Sequence, residues 1–259
     1  MLSRAREAAA SPTALGALGI VLVVLAWLAT RALGVVDTAV FPSPFSVVGE
    51  IPPIIKDPDF RSAMLTTCKW WASGLVAGVV VGTVIGLFMG RSRRVFLAVN
   101  PVLTAAYATP KVALIVPVVL LFGINTFSMA SVSFLGALVP VTTSAYQGAL
   151  RVNVRYVWSA SALGTRDASI PWQIILPASL PDILSGTRVA IGFSLLNLLG
   201  GEFVVRQGGV GAYLFNANDV GLLTRVWAIG LIIGVVGFLA DLVYEQATAR
   251  AFRWSKGQV

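Results

Sequence analysis

The stretch RVNVRYVWSASALGTRDASIPWQIILPASLPD, from Arg151 to Asp182, decides how this chain is organised. It carries three arginines, two aspartates and three prolines, and it lies between two long apolar runs. Charged and unpaired polar groups are costly in lipid, so this stretch must lie in water. A membrane protein with such a segment between two spans is expected to use it to contact a cytoplasmic partner. We call residues 151–182 the cytoplasmic loop.

The composition of the whole chain indicates a membrane protein. Of its 259 residues 57% are hydrophobic and 12% are charged, whereas soluble domains carry about 25% charged residues. The mean hydropathy is +0.85. We therefore predict an all-α integral membrane protein. The net charge of +8 comes from basic residues scattered among apolar runs, which the positive-inside bias explains better than nucleic-acid binding does.

Cysteine and histidine usage excludes several kinds of site. The chain has one cysteine, Cys68, and no histidine. An intrachain disulfide is impossible, and neither a Cys/His zinc site nor a histidine-based catalytic triad is expected. We predict no metal site. The first apolar run is longer than the apolar region of a signal peptide, so we interpret it as a retained span.

Six segments are long enough to cross a bilayer, which takes about 20 residues. The third of them, from Val95 to the turn Phe122-Gly-Ile-Asn125, is interrupted by Pro101, Pro110 and Pro117. The other five predicted spans are Thr13–Leu33, Met64–Gly90, Phe127–Gly148, Ile183–Val204 and Arg225–Gln246.

The basic residues orient these spans. On the side of the cytoplasmic loop we place twelve, among them Arg4, Arg6, Arg253 and Lys256; six fall on the opposite side, and Lys111 is unassigned. Both termini are therefore expected in the cytoplasm. We divide the chain into residues 1–61, an N-terminal span with an outer linker, and residues 62–259, a core that contains the cytoplasmic loop.

Two segments are predicted to lie on the outer face. Residues 34–61 contain five prolines, which should prevent any long helix and leave a short interfacial helix near Phe45–Ile51. Arg206–Thr224 should carry a short amphipathic helix on the outer surface.

The second span has a glycine at every fourth position, which forms one smooth stripe on a helix. Such a stripe lets another helix backbone approach closely. It is either a fixed packing seam or a sliding surface between moving helices. The five residues are Gly74, Gly78, Gly82, Gly86 and Gly90.

Lys111 follows Pro110 inside the interrupted span. A cation deep in lipid costs about 2.5–3.5 kcal/mol even on the mildest scale, so this side chain either faces a polar interior near an anionic cargo or snorkels to the surface. Our candidate pathway residues are Pro110, Lys111, Pro117, Asn197 and Glu202.

The cytoplasmic loop is predicted to form two short helices. Val152, Tyr156, Ser159 and Leu163 share one helix face, and Gly164 should end that helix. After the turn Thr165-Arg-Asp167, Ser169 is expected to cap a second helix that Leu176-Pro177 stops. Ser179-Leu-Pro-Asp182 should be the capping box of the fifth span. The loop would then present an apolar edge that fits a groove of a partner protein.

These motifs carry a resemblance to a known family. Gly164, followed after nine residues by Ile174-Ile-Leu-Pro177, looks like the cytoplasmic EAA loop of ABC-transporter permeases. In the first half of that motif Trp158 stands where the family has glutamate and Ser159 where it has the first alanine, while Ala160 matches the second. Phe41-Pro-Ser-Pro44, Pro110-Lys-Val-Ala-Leu-Ile-Val-Pro117, Leu121-Phe-Gly-Ile124, Glu202 with Gly209-Val-Gly211, and Arg253-Trp254 resemble the nitrate/sulfonate/taurine/bicarbonate permeases.

The resemblance implies a type I importer permease in the inner membrane of a bacterial cell. It implies a second permease chain, expected to be a copy of this one, an ABC ATPase dimer and an extracytoplasmic substrate-binding protein. The loop would be the coupling helix that docks on the ATPase. The residues expected to couple this chain to the ATPase are Trp158, Ser159, Ala160, Leu163, Gly164, Thr165, Arg166, Asp167, Ile174, Leu176 and Pro177. Trp158 would replace the glutamate contact by apolar burial or would pack on the membrane domain.

The chain lacks a G-x-x-x-x-G-K-[ST] phosphate loop, so it is not expected to be an enzyme, and ATP and Mg²⁺ would be bound by the partner ATPase. We predict the permease subunit of an importer for a small anionic solute. A self-sufficient channel or secondary transporter is the alternative, although Lys111 is the only mid-membrane charge and no inverted repeat is visible. An intramembrane enzyme has no catalytic set here.

Overall fold

The computed structural model describes residues 12–34 and 36–251, and within them it is helical without strands. The helices are α1 Pro12–Ala32, α2 Pro44–Lys56, α3 Pro58–Arg91, α4 Arg93–Ala108, α5 Ile115–Phe122, α6 Thr126–Arg151, α7 Val154–Ala162, α8 Leu176–Val205, α9 Gly209–Asp219 and α10 Leu223–Ala251. A 3-10 turn, Lys111–Leu114, precedes α5, and a π-helical turn, Pro171–Ile175, precedes α8.

The described residues contain five candidate membrane spans, and six if one bent pair of helices counts as a span. Five helices, α1, α3, α6, α8 and α10, are long and apolar enough to span, and the pair formed by α4 and the segment Lys111–Phe122 is bent by 99°. α3 and α6 run in the same direction, because Gly74 lies against Ser133 at one end and Gly90 against Ala149 at the other. The chain must therefore cross once between them, and the bent pair makes that crossing.

The described residues form two compact units. The first comprises residues up to Pro58 together with Leu214–Ile232. In it Trp27, Phe41 and Trp227 pack with ring centroids 5.2–5.3 Å apart. Both indoles donate to backbone carbonyls, Trp27 to Pro42 at 3.0 Å and Trp227 to Val40 at 3.1 Å. Such aromatic residues with one polar end are typical of the membrane interface.

The second unit, Asp59–Tyr213 with the part of α10 from Ile233, is built around α6. α6 packs in parallel on the glycine stripe of α3. On another side it packs antiparallel to α8, where Gly136 meets Ser194 and Gly148 meets Ser179. α8 in turn runs antiparallel to α10, as the bonds from Arg188 to Asp241 and from Tyr244 to the Leu184 carbonyl show. Small residues at these contacts let the backbones approach, as is usual between membrane helices.

The predicted spans have the right number and order, but several prolines were misjudged. Pro52 and Pro53 lie inside the 13-residue α2, and Pro101 lies inside α4. A proline frees the carbonyl four residues earlier, and here those carbonyls belong to the exposed residues Val48, Gly49 and Leu97. They can bond to polar surroundings, so the helices continue. α3 also begins at Pro58 rather than near Met64.

Only one of the three prolines of the third span breaks it. Thr109, before Pro110, is extended with φ −78° and ψ 130°, the conformation that a following proline favours. Pro117 lies in the first turn of α5, where a missing N–H does no harm. The turn Phe122–Asn125 is confirmed, because Gly123 has φ +74° and the Asn125 side chain caps α6.

The second half of the cytoplasmic loop differs from the prediction. Leu176-Pro177 does not stop a helix, since the π-helical turn runs directly into α8. Pro177 falls on an exposed side, so the backbone groups that it leaves unpaired are not buried. Ser179 is no helix cap; it is buried inside α8 and its hydroxyl donates to the Ile175 carbonyl at 2.7 Å. Ser169 likewise donates to the Arg166 carbonyl rather than capping a helix.

The predictions for Arg4, Arg6, Arg253, Trp254 and Lys256 concern residues outside those that the structure describes.

Candidate functional site

The cytoplasmic loop is attached to the membrane helices by an apolar cluster. Ile170 and Ile175 are buried with Leu87 of α3 and with Ala145 and Ala149 of α6. Val152, Val157, Ile174 and Leu176 pack around them. Arg151 forms an ion pair with Asp182 across the two ends of the loop. The loop is therefore in direct contact with α3, α6 and α8.

The first helix of the loop ends as the sequence predicts. Gly164 has φ +84°, its N–H donates to the Ser161 carbonyl at 3.0 Å, and the Thr165 N–H donates to the Ala160 carbonyl at 3.0 Å. This pair of bonds is the Schellman motif, in which glycine is favoured because its left-handed conformation carries no Cβ penalty. The elbow between α7 and the rest of the loop is thus set by backbone bonds.

One side of α7 is buried and the other is exposed. Val157 packs on the apolar cluster and Ala160 is buried, whereas Trp158 is 65% exposed and Leu163 is 87% exposed. Val154 and Tyr156 are exposed as well. We call Val154, Tyr156, Trp158 and Leu163 the apolar edge. Exposed aromatic and aliphatic side chains at a projecting elbow are typical of a protein-interaction surface.

The other residues predicted for coupling lie around this edge. Ser159, Gly164, Arg166 and Asp167 are exposed, and Thr165 is half-buried. Ala160 is buried, and Ile174 and Leu176 pack on the apolar cluster, so these three support the loop from beneath. Pro177 is exposed at the start of α8.

A second site, which is polar, is formed around Glu202 at the outer end of α8. Its side chain is 0% exposed. Its carboxyl oxygens accept hydrogen bonds from the Thr67 hydroxyl at 2.7 Å and from the Gly211 N–H at 2.8 Å. The Thr67 oxygen accepts a third bond, from the Val210 N–H at 2.8 Å. We call Thr67, Glu202 and these two N–H groups the outer latch.

The side chains of the outer latch cap the N-terminus of helix α9. The first N–H groups of a helix have no partner within it, and here side chains of α3 and α8 accept those of Val210 and Gly211. A carboxyl group is favourable at that position because a helix N-terminus carries partial positive charge. Gly209 has φ +70°, and a Cβ there would run into the Glu202 carboxyl group. In this conformation Glu202 is sealed from solvent.

Lys111 and Asn197, two of the remaining candidate pathway residues, each donate a hydrogen bond to a carbonyl four residues earlier in the chain. Lys111 donates to the Tyr107 carbonyl at 3.2 Å and lies 5.6 Å from the Tyr107 ring centroid. It thus bonds one of the last carbonyls of α4, where a cation is favourable. Asn197 donates to the Phe193 carbonyl of its own helix at 2.7 Å and lies close to Gly136. Pro110 is exposed beside Lys111.

All five glycines of the stripe lie against α6. A Cβ added to Gly78 or Gly86 would come within 2.6 Å of the Ala137 or Ala145 Cβ atom, which is too close. Helix α6 has serine or alanine opposite four of the five glycines and Val141 opposite Gly82, and the contact leaves no room for side chains on α3.

Sequence reasoning missed the partners of Glu202. Thr67 and Gly211 lie 135 and 9 residues away from it. The signal was a carboxyl group in an apolar span, which requires a partner, followed by Gly208-Gly209 at the start of a predicted outer helix. Also missed was the bond from the Trp71 indole to the Ser194 hydroxyl at 2.8 Å, which joins α3 to α8.

The fold and these two sites define a class of protein. In the described ranges 12–34 and 36–251, no group of three or more Cys, Asp or Glu residues is arranged to hold a metal ion. The described residues contain five to six candidate membrane spans and a cytoplasmic loop that packs on α3, α6 and α8. Such an arrangement is that of a multi-pass transport permease.

Comparison with known proteins gives the family. The profile described as "Binding-protein-dependent transport system inner membrane component" matches residues 78–253. This chain belongs to that family of inner-membrane transport permeases, and it resembles the permeases named for sulfonate and taurine transport by ABC transporters. The predictions of an all-α permease fold, a multi-pass inner-membrane location and a transport function rather than an enzymatic one are confirmed.

Three relatives illustrate the similarity. The putative aliphatic sulfonates transport permease protein SsuC of Bacillus subtilis is 28% identical over 90% of this chain and 84% of its own length. The taurine transport system permease protein TauC of Escherichia coli is 27% identical over 93% and 88%. The formylaminopyrimidine transport permease protein ThiX of Halalkalibacterium halodurans is 26% identical over 64% and 68%. Permeases of this family work in general with an ATPase and a substrate-binding protein.

Proposed function

We propose that this chain is the membrane-spanning subunit of an ATP-driven importer for a small organic anion of the sulfonate class. Two copies of the chain, two ATPase subunits and an outer binding protein make up the complex. ATP and Mg²⁺ are held by the ATPase subunits. The named cargo of two well-covered relatives, aliphatic sulfonates and taurine, supports the cargo class.

The observation that carries the coupling role is the apolar edge. Its exposed side chains lie on two flanks and at the C-terminal end of α7, whose remaining side carries the buried Ala160 and packs through Val157 on a cluster of α3, α6 and α8 residues. Docking of the apolar edge in a groove of the ATPase removes apolar area from water, and the buried side of α7 transmits ATPase closure to the membrane helices. Trp158 supplies by apolar burial the contact that glutamate makes in the family motif.

The outer latch serves the opposite face. Helix α9, which the latch begins, lies between the last two spans on the outer side, where the binding protein delivers its cargo. Alternating access then consists of the inner ends of the spans following the cytoplasmic loop while the outer ends of α3 and α8 remain joined through Thr67 and Glu202.

The test is stimulated ATPase activity of the complex reconstituted in nanodiscs with taurine-loaded binding protein. Gly164→Asp places a charge and a strained left-handed residue at the elbow, and it should abolish the stimulation while membrane insertion is retained. Gly34→Asp is the matched control, because Gly34 also has a positive φ and open space around it but lies in the outer linker. Unchanged stimulation in Gly164→Asp would refute the coupling role.

Trp158 allows a more specific test. Trp158→Ala should weaken the complex with the ATPase subunit by roughly 30-fold, the effect of losing an interface side chain worth about 2 kcal/mol. Trp158→Phe should restore most of the affinity, because it keeps a large apolar ring. Equal affinity of the alanine variant and the wild type would show that Trp158 does not dock.

A further inference from the structure

A groove between α4 and α6 is not used by either site described above. It has a volume of about 470 Å³ and is lined by Met89, Asn100, Leu103, Thr104, Tyr107, Ala108, Val139, Thr143, Tyr146 and Gln147. Its α4 residues recur at intervals of three and four, as do its α6 residues, so each helix presents one continuous face. The volume falls in the range of small-molecule sites, about 300–1,000 Å³.

The groove extends from near the inner end of α6 to about the middle of the bilayer. Gln147 and Val139 are 4 and 12 residues from Arg151 at the inner end of α6, which corresponds to roughly 6 and 18 Å at 1.5 Å per residue. The hydrocarbon core is about 30 Å thick. A groove with several polar side chains at this depth must face water, protein or a ligand rather than lipid.

The polar groups of the groove include two side-chain amides, each of which carries two N–H donors and one carbonyl acceptor. Within residues 12–34 and 36–251, the side-chain amides of Asn100 and Gln147 have no protein partner and leave their N–H groups available. The hydroxyls of Thr104 and Thr143 donate instead to carbonyls of their own helices, each at 2.9 Å. No acidic side chain lines the groove. The amide groups would otherwise be costly at this depth.

A positive charge lies at one end of the groove. The Lys111 ammonium group is held beside Tyr107, one of the lining residues. Amide donors together with one cation, and no carboxylate, fit a compact oxyanion. The apolar lining residues Met89, Leu103 and Val139 fit a short hydrocarbon part of the same molecule.

We propose that the α4–α6 groove is a binding site on the cargo route, in which Asn100 and Gln147 donate hydrogen bonds to the anionic group of the cargo. Lys111 attracts that anion to the Tyr107 end of the groove. This inference rests on the proposed importer function and names the residues of the chain that recognise the cargo. The site is open on one side, as a transient site on a route must be.

Thiol labelling tests the groove without requiring transport. In the Cys68→Ser background, which removes the only cysteine of this chain, Gln147→Cys and Thr143→Cys are reacted in the assembled complex with an anionic sulfonatoethyl or a cationic trimethylammonioethyl methanethiosulfonate. Gln246→Cys is the control, an exposed glutamine at the inner end of α10. Modification is measured by the mass of this chain.

The measured quantity is the ratio of the labelling rate with the anionic reagent to that with the cationic reagent. This ratio should be about tenfold higher at the groove positions than at position 246, because local potentials change the concentration of charged reagents by that order. Equal ratios at the three positions would overturn the proposal. So would the absence of labelling at both groove positions in complexes that label at position 246, since the second permease chain would then cover the groove.

Transport kinetics supply the second arm. Asn100→Leu and Gln147→Leu should each raise the KM for taurine uptake by roughly tenfold, the lower range for loss of one hydrogen bond to a charged group, while Gln246→Leu leaves it unchanged. Wild-type KM values in both groove variants would overturn the proposal. If the wild-type complex transported no sulfonate at all, the proposed function would fail, and the labelling ratio would still decide whether the groove attracts anions.

Discussion

The outer latch allows a quantitative prediction. Glu202→Ala removes both acceptors, so that the Thr67 hydroxyl and the Gly211 N–H are left buried without a partner. Each unsatisfied buried donor costs about 1–3 kcal/mol, so the destabilisation should be about 2–6 kcal/mol. Glu202→Gln keeps one acceptor and should lose roughly half of that amount.

Thermal stability measures this effect. For a chain of this size, a destabilisation of about 2–6 kcal/mol corresponds to a fall in apparent Tm of roughly 10 °C. The apparent Tm is measured by fluorescence-detected size-exclusion chromatography of the heated, detergent-solubilised protein. Glu50→Ala is the control, because Glu50 is a partly exposed carboxylate on α2, and its Tm should equal that of the wild type. Glu202→Ala combined with Thr67→Val should fall by less than the sum of the single changes, since both belong to one network. A wild-type Tm in Glu202→Ala, or strictly additive losses, would refute the latch.

Two further changes probe the helix seam and the bent span. Gly86→Leu should reduce the yield of folded protein, because even a Cβ there comes within 2.6 Å of the Ala145 Cβ atom and the Thr142 carbonyl, and overpacking costs about 1–3 kcal/mol or more. Gly192→Leu is the control and should fold normally, since nothing lies within 4 Å of a Cβ at that position. Equal yields of the two variants would contradict the close packing of α3 on α6. Lys111→Met should raise the KM for anion uptake while Lys111→Arg retains it, and wild-type affinity and rate in Lys111→Met would show that the lysine serves only to end α4.

Local patterns in the sequence predicted those features that depend on solvent or on short-range geometry. The number of spans follows from the length of the apolar runs, since lipid requires continuous apolar helices. The end of α7 at Gly164 and the turn at Gly123 follow from glycine's access to positive φ. The glycine stripe could be recognised because its members lie on one face of a single helix.

Prolines and capping motifs were less informative, because their effect depends on surroundings that are remote in sequence. Pro52, Pro53 and Pro101 lie within helices, where the carbonyls that they free belong to exposed residues, and only Pro110 marks a break. The capping box expected at Ser179 is absent because that serine is buried against Gly148 of α6, within a helix that began earlier. Whether a proline or a serine ends a helix is thus decided by which face of the helix is exposed.

The sequence by itself determined that this is a six-span helical membrane protein with a cytoplasmic loop, because the hydrophobic effect and backbone hydrogen bonding act on each segment separately. Only the tertiary structure decided which helix covers the glycine stripe, which groups accept hydrogen bonds from Thr67 and Gly211, and which polar faces of α4 and α6 form one groove. Those contacts join residues 9 to 143 positions apart, and their energies exist only after the helices have packed.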